Sequence, residues 1–389
     1  MSLLLFCGLF AYLYISSSVF FDIVHFLTHQ WSTSRYKALR WVAQCHKYHH
    51  LYYNRALNFN PKYWWQNAFI ALPFEMICLC AGSLLGWLFL QLLTHQSSLD
   101  TLSSAPLLTI LTIHIVRTLA VICMSGRDSN HVIYKTVPKD NSWLFVDPEF
   151  HALHHVHPDR YMGSVVKLFD WVAGTAYSVR GKRVVITGGS GAFGTAITRR
   201  LQAEGVRDIT PLKFGKDWTH DDFTKVGAVF DNTQPDILIL AHGTKDEDAM
   251  DANCNDTIRL IHLFLNHEQK ISQRSAKKTL PEIWYVGSEI ELHPAFDDPT
   301  MQRYLDSKRA FLPYARALYD DSRVLYRHIV PAAFQSPMGK AIVSADWAAG
   351  VMMWWIRRGT RYVPVTYTGM AYLNFLKFYC WQHSDGMTK

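Results

Sequence analysis

No CxxC pair occurs in this sequence. Its seven cysteines, Cys7, Cys45, Cys78, Cys80, Cys123, Cys254 and Cys380, are scattered singly. Several lie in apolar runs, as buried reduced thiols do, and this argues against a disulfide scaffold. There is also no long Lys/Arg block, although the formal net charge is +7. Nucleic acid is therefore not expected as a partner, and a modest basic excess suits a protein lying against an anionic membrane face. Internal repeats and low-complexity tracts are absent. Long uncharged runs are missing from the second half, which reads as a soluble α/β protein. The first half, by contrast, is rich in them. With 389 residues the chain has room for both.

Three apolar runs are long enough for a bilayer, 3–21, 68–93 and 106–124, since a span needs about 20 mostly apolar residues. The first run has no basic leader and no small-residue cleavage site, so it is expected to be retained as a span. Between runs one and two stand Arg35, Lys37, Arg40, Lys47, Arg55 and Lys62, whereas 94–105 contains no Lys or Arg. By the positive-inside rule the first loop is cytosolic and the second is not. The third run then returns the chain to the cytosol. All dense histidine clusters and everything after them fall on that one face, so an integral membrane protein with cytosol-facing active sites is expected.

The histidines follow a pattern. His25 and His29 stand at i, i+4 beyond the first run. His46, His49 and His50 form HxxHH, and His151, His154 and His155 repeat it, with His131 between. Spacings of three and four let one helix aim two imidazoles at a common point. Imidazole suits iron, zinc or copper, and clusters from several helix ends can close around a metal pair.

This pattern, with Leu168-Phe169-Asp170-Trp171 and Gly174-Thr175 after the last cluster, resembles the fatty acid hydroxylase/sterol desaturase superfamily over roughly 19–177. The resemblance implies two iron ions held by the nine histidines, O2 as oxidant, an electron-donor protein, and attack on an unactivated C–H bond of a membrane lipid by hydroxylation or desaturation. Some members carry a further histidine where this chain has Arg127.

After Arg180 the chain changes character. Short β-rich runs at 182–187, 236–240, 283–286 and 324–330 alternate with helical stretches such as 196–204, which implies a Rossmann-like, doubly wound parallel sheet. The boundary is placed at 179–182, giving a helical membrane domain over 1–179 and an α/β domain over 180–389. Val184-Val185-Ile186 leads into Thr187-Gly188-Gly189-Ser190-Gly191-Ala192-Phe193-Gly194. Strand, glycine turn and helix N-terminus together make a pyrophosphate site. Tyr304 and Lys308 form YxxxK, one face of a helix introduced by Asp298-Pro299. A lysine ammonium near a phenol favours the phenolate and readies Tyr for acid/base work. Ser288 follows a strand and is placed to hydrogen-bond a substrate oxygen, with Asn253 holding a relay water.

This half resembles the short-chain dehydrogenase/reductase family over about 182–340. The resemblance implies NAD(P) held by Thr187, Gly188, Ser190, Gly191, Phe193, Gly194, Gly243, Lys308 and Pro331, and catalysis by Tyr304, Lys308, Ser288 and Asn253. Ala241-His242-Gly243 stands where the family has Asn-Ala-Gly. The second strand, near 208–212, ends without an acid and is followed by Lys213, which favours NADP. Trp347, Met352, Met353, Trp354, Trp355 and Ile356, followed by Arg357 and Arg358, read either as a core stripe or as an interfacial helix. The two halves together suggest a lipid enzyme that oxidises a C–H bond and interconverts an alcohol and a carbonyl. Long-chain aldehyde processing, as in plant wax-forming proteins that the chain also resembles, and a C-terminal half that only senses NAD(P)H are the alternatives.

Overall fold

The computed structural model describes residues 2–96, 103–274, 278–295 and 297–382. The chain divides into two compact units, Met1–Ala176 and Tyr177–Lys389. The break falls a few residues ahead of 179–182 because Tyr177 and Val179 are buried in the core of the second unit.

The first unit is helical. It comprises α1 (Leu3–Trp31), α2 (Lys37–Tyr52), the single turn α3 (Trp64–Gln66), α4 (Leu72–Gln96), α5 (Ala105–Cys123), α6 (Pro148–Val156) and α7 (Leu168–Ala173). Three helical stretches, Leu3–Trp31, Pro61–Thr94 and Ala105–Cys123, are long and apolar enough to cross a membrane. Most of the cation-free loop between α4 and α5, 97–102, lies outside the described residues. The serines that interrupt the first run have a packing reason. A Cβ at Gly82 of α4 would stand 2.7 Å from Phe20 Cβ and 2.9 Å from Ser17 Cα, and one at Gly86 2.9 Å from Ser16 Cβ. Small residues on both helices thus let two backbones approach in an apolar medium. Helix α1 also runs ten residues past the apolar stretch, to Trp31. No proline or glycine stops it before then, so His25 and His29 ride on the same rod as the apolar segment.

The second unit alternates strand and helix: β1 (Arg183–Thr187), α8 (Ala192–Ala203), β2 (Asp208–Leu212), α9 (Thr224–Thr233), β3 (Ile237–Leu240), α10 (Asp256–Arg274), β4 (Glu282–Val286), α11 (Pro299–Ala310), α12 (Leu312–Asp320), β5 (Leu325–Pro331), α13 (Ala345–Ile356), β6 (Tyr362–Val365) and α14 (Met370–Cys380). The six strands form one sheet in the order β2-β1-β3-β4-β5-β6, and every pair is parallel. Side chains alternate between two cores. Val185, Leu238, Ile283 and Tyr285 face one; Val184, Ile186, Ile239 and Trp284 face the other. A sheet buried on both faces needs this continuous apolar run in each strand. The chain reverses direction across the sheet between β1 and β3, and the crevice at the carboxyl ends of those strands is where such folds hold ligands.

A buried charge cluster ties the base of the sheet. Glu282 accepts from Tyr177 Oη at 2.6 Å and Trp284 Nε1 at 3.0 Å, and it pairs with Lys182. Arg327 Nε stands 3.8 Å away. Burial alone would push the Glu282 carboxyl up, but Lys182 and Arg327 outweigh it and hold the group below the ordinary carboxylate range. Glu282→Leu leaves two buried cations without their anion, a loss of about 3–5 kcal/mol. We expect a clear drop in the melting temperature of the second unit, read by tryptophan fluorescence of the detergent-solubilised chain.

Candidate metal centre and dinucleotide site

The nine histidines singled out by spacing come together in the first unit as two groups. His25, His29, His46, His50 and His154 form one, and His49, His131, His151 and His155 the other; within each group the ligand atoms lie within 4.8 Å of one another. Helix ends place them. His25 and His29 come from the end of α1, and His46, His49 and His50 from the last turns of α2. His151, His154 and His155 come from α6, whose start is fixed by Pro148 and by Asp147 Oδ1 accepting from the Phe150 amide at 2.8 Å. His131 lies in the irregular segment between α5 and α6 and is held by Asp128, whose Oδ1 is 2.7 Å from His131 Nδ1. Arg127 is exposed and belongs to neither group.

The outer nitrogens decide what the inner ones can do. His25 Nδ1 lies 3.0 Å from the Met162 carbonyl, His154 Nδ1 2.7 Å from that of Arg160, and His155 Nδ1 2.8 Å from that of Tyr53. A carbonyl only accepts, so each Nδ1 must carry the proton and each Nε2 of a neutral ring must present a lone pair. Burial first, and then the neighbouring imidazoles, hold His46, His49, His50, His154 and His155 well below the ordinary imidazole range. The rings are therefore neutral. Yet His25 Nε2 and His154 Nε2 stand 3.0 Å apart, with both Nδ1 positions donating outward. Two lone pairs at that distance repel unless a cation lies between them. Cis nitrogens around a metal at about 2.1 Å stand about 3.0 Å apart, so the donor set fits a pair of imidazole-bound metal ions.

Second-layer contacts were not evident in the sequence. Asp170 accepts from the amides of Met162 and Gly163 at 2.9 and 2.7 Å, and Asp22 from that of Ser164 at 2.8 Å. The two carboxylates pin the loop whose Met162 carbonyl orients His25. The centre opens onto a cavity walled by Phe21, Leu72, Leu79 and Val121, with Glu75, Arg117 and Asp128 as its charged residues.

In the second unit the glycine turn has the close approaches its spacing implies. Gly188 has φ +64°, and a Cβ there would run into the Ala241 carbonyl; one at Gly194 would run into the Gly188 carbonyl. Helix α8 starts at Ala192 with Gly191 at its cap and no side chain satisfying the first amides. Ser190 and Gly191 are exposed at this end. Two further residues of the anticipated set are buried within the turn. Thr187 is fully buried; its hydroxyl lies 2.6 Å from His242 Nδ1 and donates to the Ile239 carbonyl, so it braces the turn. Phe193 is buried against Phe334, with ring centroids 5.0 Å apart. Pro331 ends β5 in a buried position. Lys213 is exposed just past β2, and its amide is capped by Asp217 Oδ2 at 2.8 Å.

Tyr304, Lys308 and Ser288 converge. Asp298 Oδ1 caps α11, which puts Tyr304 and Lys308 on one face. Burial pushes the Tyr304 phenol up to about 12, opposed by a hydrogen bond with Ser288. Burial draws Lys308 down to about 8, and its Nζ donates to the Val286 carbonyl at 3.0 Å. Asn253 sits in a π-turn at the start of α10; its Nδ2 donates to the Thr244 carbonyl at 2.8 Å and to Ser307 Oγ at 2.9 Å. Its Oδ1 accepts from the Thr244 amide at 3.0 Å, beside Gly243. One residue escaped the sequence reading. Glu291 is completely buried, accepts from the Ser288 amide at 3.1 Å and from Asn374 Nδ2 at 3.0 Å, and lies 3.1 Å from His328 Nε2. The signal was Ser288-x-x-Glu291, a capping box after an apolar strand.

The purified chain should carry about two metal ions, in keeping with two imidazole groups of this size. His131→Ala, which removes a ligand from the four-histidine group, should lower the content to about one by elemental analysis. An unchanged content would mean that His131 is not a ligand.

No known family profile matches the chain. A monoglucosyldiacylglycerol epimerase from Synechocystis sp. is 28% identical over 265 residues, covering 60% of this chain and 61% of that protein. The match thus spans about three fifths of the curated relative. Among solved structures, a short-chain dehydrogenase from Burkholderia cenocepacia in complex with NADP has a TM-score of 0.41 at 16% identity, over 52% of this chain and 94% of the other. One from Sphingobium yanoikuyae in complex with NADPH has a TM-score of 0.40 at 15% identity, over 50% and 92%. The fold itself is read from the parallel sheet and the turn after β1. The chain therefore joins a helical unit with a histidine centre like that of the fatty acid hydroxylase/sterol desaturase superfamily to a Rossmann-like unit that resembles the short-chain dehydrogenases.

Proposed function

We propose that this chain is a membrane-bound lipid oxidoreductase whose second unit interconverts an alcohol and a carbonyl with NAD(P). The observation that carries the reading is the meeting of Ser288, Tyr304 and Lys308 on the strand-and-glycine-turn frame. Bound NAD(P) would supply or accept the hydride. The open amides at the start of α8 would hold its pyrophosphate, and Lys213 favours NADP. In carbonyl reduction Tyr304 Oη gives its proton to the carbonyl oxygen; in alcohol oxidation it takes the hydroxyl proton. Ser288 holds that oxygen, and the Lys308 ammonium favours the phenolate.

The first unit, on the same reading, uses two metal ions, iron by its resemblance, with O2 and an electron-donor protein. When bound, the metals supply oxidation of a C–H bond of a lipid. The nine imidazoles hold them, and the apolar cavity keeps an acyl or sterol chain out of water. Both centres face the cytosol if the loop charges govern insertion.

A second reading is favoured by the relative's name. Inverting a hydroxyl on a lipid-linked sugar would use the same residues twice: Tyr304 takes the hydroxyl proton as a ketone forms and returns it after hydride comes back to the other face. The lipid would then be an isomer of the substrate, and NAD(P)H would not be consumed. Measuring both quantities in one incubation separates the readings.

Tyr304→Phe should retain NADPH binding and lose about 10²–10⁴-fold in turnover, the usual value of a positioned proton donor. Unchanged lipid conversion would leave the unit a sensor. The Lys308 proton is lost as pH rises through about 8, so kcat/KM for carbonyl reduction should hold below that value and fall above it. Lys308→Arg stays charged and should lack that limb, whatever its residual rate.

A further inference from the structure

Helix α14 lacks the polar outer face of an ordinary surface helix. Ala371, Asn374 and Phe378 point into the second unit. On the other side stand Tyr372, Leu373, Leu376, Tyr379 and Cys380, all exposed, Leu373 at 58%. The helix carries a single charge, Lys377, and its Nζ is directed at the Glu291 carbonyl, 3.2 Å away. The apolar surface continues onto α13. Trp355 lies 6.4 Å from Tyr372 by ring centroids and 4.7 Å from Trp354. Met352, Met353 and Ile356 of that helix are core, whereas Trp354 is exposed. Two arginines border the belt with their guanidinium groups stacked on its rings, Arg358 at 3.6 Å from Trp354 and Arg316, largely buried and paired with Asp320, at 5.1 Å from Tyr379.

We propose that this belt is a bilayer-contact surface, with Tyr372, Leu373, Leu376 and Tyr379 entering the acyl boundary and Arg358 meeting anionic headgroups. Trp and Tyr with stacked arginines are the composition of an interfacial helix. The occupant is indicated by the chain itself. Its first unit has three helices long enough to span a membrane, so the second unit is tethered to a bilayer at high effective concentration. The inference rests on those helices and not on the choice of substrate.

Docking at α14 would also bring the bilayer to the catalytic turn. On its inner side the helix holds the segment that follows Ser288: Asn374 Nδ2 donates to Glu291 Oε2, and the Ala371 amide donates to Glu289 Oε1 at 3.0 Å. A substrate presented from a membrane surface would reach Ser288 and Tyr304 without leaving it.

The test places p-benzoylphenylalanine at position 373, 376 or, as a control on the far edge strand's approach, 207 in the full chain. The protein is reconstituted in vesicles of phosphatidylcholine and phosphatidylglycerol, irradiated and analysed by mass spectrometry. Lipid adducts at 373 and 376 in large excess over 207 are expected, with loss of the adduct at 373 in a Leu376→Glu background. Crosslinks to a second copy of the chain, or yields at 373 no greater than at 207, would overturn the proposal. The adduct is read without turnover, so the outcome is independent of the reaction assigned to Tyr304.

Discussion

Nine imidazoles are crowded into the first unit, and in at least three of them the lone pair is turned inward, an arrangement that costs energy unless positive charge lies between the rings. Three of the rings are fixed by outward hydrogen bonds to backbone carbonyls, and a fourth by Asp128. Such a facing arrangement is relieved by positive charge between the rings, so metal binding at this centre would be coupled to the fold of α1, α2 and α6. Much else in the unit serves that arrangement. Asp170 and Asp22 are buried carboxyl groups engaged with loop amides rather than placed among the histidines. They fix the loop, the loop fixes a carbonyl, and the carbonyl fixes a ring. This leaves both candidate ligand groups all-imidazole.

The second unit answers a different constraint. A parallel sheet covered on both faces cannot place polar chemistry in its middle, so polar groups gather at the strand ends. At the base, Glu282 gathers Lys182, Arg327 and Tyr177. At the other end, β1 and β3 deliver the glycine turn and Gly243, while β4 and α11 deliver Ser288, Tyr304 and Lys308. Glu291 links the Ser288 turn to α14 through Asn374.

Much of this was legible in the sequence, for identifiable reasons. Histidines at spacings of three and four on separate helices leave a pattern that survives without coordinates. Strands buried on both faces are unbroken apolar runs, which is why β1, β3, β4 and β5 could be read to within a residue or two. Other features left no such trace. The carbonyls of Met162, Arg160 and Tyr53 act through backbone atoms, which every residue possesses. That Thr187 would hydrogen-bond His242 and Phe193 would pack on Phe334 could not be read from the motif, because the direction of a side chain at a turn depends on what packs beneath it. Glu291 could have been found from its capping box, yet its burial against His328 and Asn374 depends on contacts from distant segments. Strand β6 was missed because its four residues include Pro364, which reads against a strand unless it lies at an edge.

The length of α1 has a geometric consequence. Leu3 and His25 belong to one unbroken helix, and at 1.5 Å per residue they are about 33 Å apart, close to the thickness of a hydrocarbon core. A helix of that kind is a ruler. If its lower end is set by one membrane surface, the height of the first imidazoles above the other is set too. On the proposed function, the lipid carbon that meets these imidazoles would then be selected by depth, and a change in bilayer thickness would shift which carbon that is.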